Sequence, residues 1–315
     1  MILLQSQYRR VEQLAYNADG SRLIGFGEQI SDPPRAGVVW WDCQNDYAPN
    51  RGIAGCATSG GFCVLPDGGL VVTLPPVSGT YHSRAVSYNA NGDSPLDLLV
   101  NHTVFFAPVL AACGDHLLVG SYGNPSEIYR FRLPLVAPVE PIRRHPVTTA
   151  TIPATAFCRA FEVASRSDEF FALENDLDAA RVQRRSIVSL EPVGDAIPVM
   201  SHTNAIRLAV GETRLISIAG ASLYSHDLTD PKKPPVKKGS GNRKHFTGIA
   251  VHPDGRRVLA TCNDTTVREY DAVTLQEIRA YAWKVGRLRS VAVAPDGLTA
   301  AAGSDSGKVV VWDLE

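Results

Sequence analysis

An Asp-Gly-type turn followed by a short apolar run returns seven times along this chain, and that recurrence limits the possible folds more than any other feature. Ala18-Asp19-Gly20, Pro66-Asp67-Gly68, Pro253-Asp254-Gly255 and Pro295-Asp296-Gly297 are the clear copies. Gly114-Asp115, Ser167-Asp168 and Gly211-Glu212 are weaker copies that fill the gaps. A spacing of roughly 42 to 53 residues, with strand-type residues between the turns, marks a radial array of small sheets rather than one continuous sheet.

The last two units are the easiest to read. Thr247–Val251 alternates into the turn at Asp254, and Arg257–Thr261, Val267–Asp271 and Glu277–Tyr281 follow as three more strands. The final unit repeats the order with Ser290–Val293, Thr299–Ala302 and Val309–Asp313, then stops one strand short. Short runs split by Gly, Asp and Pro are strands of antiparallel sheets. The N-terminus holds a spare run, Ile2-Leu3-Leu4-Gln5-Ser6, ahead of the first unit's Val11–Tyr16. An unfinished blade would expose apolar faces and a raw edge, so this run is expected to pair outside Val309–Trp312. The expected fold is all-β: a single domain over 1–315, a seven-bladed β-propeller of four-stranded antiparallel blades, closed by the N-terminal strand in the last blade.

Trp41-Asp42 and Trp312-Asp313, with Tyr270-Asp271 as a variant, end the third strands of the best-matching units, about 11–45, 246–281 and 287–315. In these residues the chain resembles the WD-repeat family. The four middle units share only the rhythm, and their third strands are read as ending in Tyr88-Asn89, Phe131-Arg132, Ser189-Leu190 and His226-Asp227. Asp264 and Asp305 keep the family's turn aspartate, whereas the position of its histidine falls on Asn242 and Lys284. The resemblance implies a non-enzymatic scaffold that presents a propeller face to another protein.

Composition removes several other classes. Thirty-one Lys and Arg against 32 Asp and Glu give no global pull toward nucleic acid or an anionic membrane. No apolar run approaches the roughly 18 residues of a membrane span, and the first residues lack the basic and apolar parts of a secretory signal. The expected location is the cytoplasm. Cys43, Cys56, Cys63, Cys113, Cys158 and Cys262 form no C-x-x-C pair and read as small buried hydrophobes. Gly303–Val309 mimics a phosphate loop but sits between strands, without the helix such a loop opens. No nucleophile elbow or H-E-x-x-H pattern is present, no cofactor is expected, and His252 reads as a solvated strand end.

In an up-and-down blade, the turns after strands one and three share one face, and those after strands two and four share the other. The second kind carries the long connections Glu28–Gly37, Pro75–Ser83, Ser121–Ser126, Glu174–Arg185 and Asp230–His245, so that face is expected to bind the partner. The candidate contacts are Arg35, Tyr81, Arg84, Tyr122, Lys232, Lys233, Lys237, Lys238, Arg243 and Lys244. The segment 232–244 holds six cations and no acid, which suits an acidic protein. Nucleic acid is the weaker alternative, because no aromatic side chain interleaves the charges as base stacking requires. A second class of function is a metal-dependent, lactonase-like propeller hydrolase. Its oxygen ligands would come from Glu174, Asn175 and Asp176, the densest source of such groups; Asp178 follows, and Arg181, Arg184 and Arg185 neutralise the cluster. Pro134–Pro153 reads as an extended connection between the third and fourth blades.

Overall fold

A computed structural model describes residues 1–29, 35–56, 61–74, 84–93, 95–98, 109–120, 126–133, 143–144, 148–152, 157–175, 179–241 and 244–314. It is an all-β, seven-bladed β-propeller with no helix among those residues. Each blade has four antiparallel strands, and in blades 1, 2, 4, 5 and 6 these four follow one another along the chain. Blade 5, for example, is Thr203–Ala209, Arg214–Ala219, Ser222–Asp227 and Val236–Gly239. Blade 6 is Phe246–Val251, Arg257–Cys262, Thr266–Asp271 and Glu277–Ala282.

The unfinished last blade is completed as expected. Leu288–Val293, Thr299–Ser304 and Lys308–Asp313 are joined on the outside by Ile2–Gln5. The register sets Ile2 against Val311, Leu4 against Val309 and Gln5 against Lys308, and Ser6 N–H donates to Gly307 O at 2.8 Å.

Two compact units make up the chain. One comprises Met1–Asp32, Val39–Asn50 and His202–Glu315, and holds most of blade 1 with blades 5 to 7; the other, Pro33–Val38 and Arg51–Ser201, holds blades 2 to 4. Within each unit the apolar clusters lie between successive blades. In the first unit, Ile216, Ile218 and Leu223 of blade 5 meet Phe246, Val258 and Ala260 of blade 6. Val309 and Val311 of blade 7 meet Val11, Leu14 and Trp41 of blade 1. In the second unit, Leu118 and Ile128 of blade 3 pack with Phe161 and Phe170 of blade 4. A sheet covered on both faces reads as a continuous apolar run, and accordingly Val258 to Cys262 are all buried.

The repeated turns have one construction. Oδ1 of Asp19, Asp67, Asp254 and Asp296 accepts the backbone N–H two residues on, at 2.9, 2.9, 2.7 and 2.9 Å. The following glycine takes a positive φ of 72 to 80°, a region that costs a residue with a Cβ about 1 kcal/mol or more. The same Asx turn follows the third strands at Asp42, Asp227 and Asp271. Turn glycines also tie blades together: Gly255 O of blade 6 accepts from Val210 N–H of blade 5 at 2.7 Å.

Several expectations need correction. His252 is buried, not solvated: Nε2 lies 2.9 Å from Gly297 O of blade 7, and Nδ1 accepts from Asp254 N–H at 3.1 Å. Pro134–Pro153 is more than a connection. Thr148–Thr151 is the fourth strand of blade 3, and Arg143–Arg144 adds a fifth, parallel strand to blade 2 beside Leu96–Leu98. Blade 4's third strand, Ala180–Ser186, ends at Ser186 and not at Ser189-Leu190, and Ser186 Oγ takes the turn role by accepting from Val188 N–H. The first strands of blades 1, 4, 5, 6 and 7 each carry a β-bulge at the same place, which inserts Glu12, Arg159, Asn204, Thr247 and Arg289.

Candidate protein-interaction surface

The basic segment is not one displayed loop. Pro234-Pro235 stiffens an extended approach, and Val236–Gly239 then pairs antiparallel with Ser222–Ser225 as the outer strand of blade 5. This corrects the reading of Asp230–His245 as a connection between blades five and six. Lys232 and Lys233 precede the strand, in the link from the third to the fourth strand, at the end of the blade opposite the one expected for them. Lys237 and Lys238 lie on the strand itself, and Lys244 lies beyond its other end. The cations therefore run the length of the blade's rim.

Local chemistry fixes this arrangement at both ends. Asp227 Oδ1 accepts from Thr229 N–H and Oγ1, and Lys233 N–H donates to Asp230 O at 3.0 Å to turn the chain before the prolines. Past the strand, Ser240 N–H donates to Ala221 O, and Arg268 Nη1 of blade 6 donates to Ser240 O at 2.8 Å. Lys237 Nζ stands 5.7 Å from the centroid of the Tyr224 ring, opposite it in register, close enough for a cation–π contact. No ion pair joins Lys232, Lys233, Lys237 or Lys238 to a described residue. Two of the nearby acids are committed elsewhere: Asp227 to Arg214 at 3.1 Å, Asp264 to Arg268 at 3.0 Å.

Among the other sequence candidates, Arg84 begins the third strand of blade 2, half-buried opposite Leu74. Arg35 begins the third strand of blade 1. Tyr81, Tyr122 and Arg243 lie outside the described residues, as do most of the connections Glu28–Gly37, Pro75–Ser83 and Ser121–Ser126. Glu174–Arg185 is largely strand, and its connection shrinks to 176–179.

The oxygen-rich cluster of blade 4 has a different use from the one its composition suggests. Glu174 is buried (1% exposed), and both its oxygens are taken. Oε1 accepts from Arg185 Nε and Nη2 at 3.1 and 2.7 Å, and Oε2 accepts from Arg181 Nε at 3.0 Å. Arg185 is itself buried and donates to Leu190 O. A buried carboxylate with one oxygen taking two bonds from one guanidinium and the other facing a second guanidinium is a structural ion pair rather than an open cation ligand. Asn175 Nδ2 reaches Ser201 O at 3.4 Å; Asp176 and Asp178 lie outside the described residues. No cluster of three or more His, Cys, Asp or Glu with metal-site geometry occurs among the described residues.

Two further polar sites escaped the sequence reading. In blade 5, where the family dipeptide would place Trp, His226 is buried with its Nε2 3.1 Å from Ser217 Oγ on the neighbouring strand, and desolvation pushes the imidazole down to about 4. In blade 7, Trp312 packs at a tilt of 48° against the stacked pair Trp283 and Tyr281, at centroid distances of 4.7 and 5.4 Å. It faces Ala300 across the strand pair and, among the described residues, its Nε1 has no hydrogen-bond partner. At the bulges, burial raises the Glu12 carboxyl above its ordinary value, with the Arg289 guanidinium opposing the shift. The signal for the bulges is the burial spacing of three at Val11/Leu14, Phe246/Ile249 and Leu288/Val291, where a regular strand would give two.

Fold and repeat together define a β-propeller whose last two units are WD repeats. The family model "WD domain, G-beta repeat" matches residues 234–271 and 276–313. The first unit, with its Trp41-Asp42, lies outside those spans. Solved structures resemble the whole chain. The β-propeller domain of Myceliophteria thermophila Cps50 (Swd1) aligns with a TM-score of 0.73 at 13% identity, covering 100% of both chains. Kuenenia stuttgartiensis hydrazine synthase aligns with a TM-score of 0.74 at 12% identity, covering 99% of this chain and 97% of that one. The WD40 propeller domain of Doa1 aligns at 0.69 and 13%, covering 100% and 96%. At such identities the likeness shows the fold alone, and one of the three is an enzyme. Comparison with curated proteins gives no match in sequence. WD40 propellers typically serve as protein-interaction scaffolds.

Proposed function

We propose that this protein is a non-enzymatic scaffold that binds an acidic protein through the lysine-rich rim of blade 5. The observation that carries this reading is the set of four lysines, Lys232, Lys233, Lys237 and Lys238, held on a strand and its approach with no carboxylate paired to them among the described residues. In a chain of net charge −1 this is a local positive field, of the kind that steers an oppositely charged partner and sets specificity more than affinity. Lys244 extends it past the strand, and Arg243 is proposed as a further contact. Arg35, Tyr81, Arg84 and Tyr122 are assigned as further contacts, and the cytoplasm as the place of action.

Cross-linking mass spectrometry on complexes captured from the native host tests the reading. The expected result is a protein partner cross-linked through Lys232–Lys244, whose captured amount, measured without cross-linking, falls when the four lysines are replaced by glutamate. Cross-links that avoid this segment, or capture that survives the charge reversal undiminished, would overturn it.

A further inference from the structure

Resting on the scaffold reading above, we infer that the rim of blade 5 takes its partner as an added strand: an extended, acidic peptide segment pairs with the free edge of Val236–Gly239. Among the described residues the strand has a single neighbour, Ser222–Ser225, and alternate backbone N–H and C=O groups point outward without a described partner. Such an edge gives main-chain affinity to an extended segment, and the flanking side chains decide which segment.

The charges make that choice. Lys237 and Lys238 are adjacent, so their side chains leave the strand on opposite faces. An incoming strand would therefore meet one lysine on each face, at the roughly 5 Å separation of cross-strand pairs. Lys232 and Lys233 extend the field along the approach. A second copy of this chain presenting the same edge would bring like charges together, which disfavours self-pairing, whereas glutamate or aspartate at the facing positions is favoured. Other rims are guarded differently. Blade 6's outer strand mixes Glu277 with Arg279, and blade 4's contains Pro198.

The edge is also ordered in advance. Pro234-Pro235 sets the approach, Ser240 N–H and Arg268 Nη1 pin the exit, and Tyr224 carries Lys237 on its ring. Little conformational freedom remains to be lost on docking. The geometry favours peptide over nucleic acid, because Tyr224 is buried and offers no open aromatic face for a base.

The test uses the full chain and a fluorescent peptide of about ten residues built from valine, threonine and glutamate, long enough to form one strand. Three controls accompany it: the same peptide with alternate residues replaced by proline, its lysine-for-glutamate counterpart, and an oligouridine of matching length. The expected result is salt-sensitive binding of the acidic strand former and new hydrogen-exchange protection at Val236–Gly239. Affinity should fall about tenfold or more for the proline peptide and for the variant with the four lysines replaced by glutamine. The glutamine variant keeps strand-compatible side chains, and its circular dichroism checks folding. Equal binding of the proline peptide, tighter binding of the oligouridine, or absence of peptide binding would overturn strand addition. Cross-links of the native partner to Lys232–Lys244 alongside any of those results would leave the scaffold reading standing while discarding this mode of docking.

Discussion

At Gly297 two requirements meet on one residue. Its φ is +75°, and a Cβ there would fall 2.7 Å from His252 Nε2, the ring that bonds to Gly297 O across the blade boundary. Alanine should therefore cost about 1–3 kcal/mol, from backbone strain and from displacing the imidazole. Thermal unfolding would read the loss, and adding His252→Ala should make the double variant less than additive, because the ring is then no longer in the way. His226 makes a prediction of a different kind. Its folded pKa of about 4 lies below the ordinary 6.5, so the native state holds the neutral ring. That contribution is complete above pH 6.5, and it is lost as the pH falls through 6.5 toward 4, where the unfolded chain gains a proton that the native one resists. The full effect is on the order of 3 kcal/mol. Denaturant midpoints measured between pH 7 and 4 should fall less steeply in His226→Gln; an unchanged slope would refute the assignment.

Among the elements, what the sequence made legible was local. An Asx turn is written in two or three consecutive residues, so Asp19-Gly20, Asp67-Gly68, Asp254-Gly255 and Asp296-Gly297 were found where they stand, and the strands of blades 6 and 7 fell within a residue or two of their bounds. The spare N-terminal run could be assigned because a blade lacking a strand demands one. Elements held by backbone pairing alone escaped. Val236–Gly239 has the composition of a linker, two lysines between Pro-Pro and Gly-Ser-Gly, and is a strand because Ser222–Ser225 needs an outer partner. Glu174 read as a cation ligand because, although the following arginines were seen as neutralising charge, only strand register shows that those seven and eleven residues on occupy its oxygens. The bulges left a trace in the spacing of buried residues, and they can be probed directly. Deleting Thr247 removes the extra residue from blade 6 and turns Phe246 out of its buried position, at an expected cost of about 3–5 kcal/mol in urea unfolding. Thr247→Ala keeps the count and loses only the hydroxyl's bonds to Thr261 Oγ1 and Leu288 O, about 1 kcal/mol each.

For the whole molecule, fold and function separate cleanly. Three solved structures align with nearly the full chain at 12 or 13% identity, and they include an enzyme and a WD40 propeller domain alike. Seven repeats of turn and strand are enough to specify the architecture; what the molecule recognises is left to its rims and connections. The joining of Gln5 to Gly307, 302 positions apart, adds a constraint of time. During synthesis the first ribbon leaves the ribosome before the template it docks on has been made, and it carries Ile2 and Leu3 into solution meanwhile. Its seat exists only once Lys308–Asp313 has emerged, so the closing step waits until the seventh blade has been made, and a nascent chain must be kept from premature edge pairing until then.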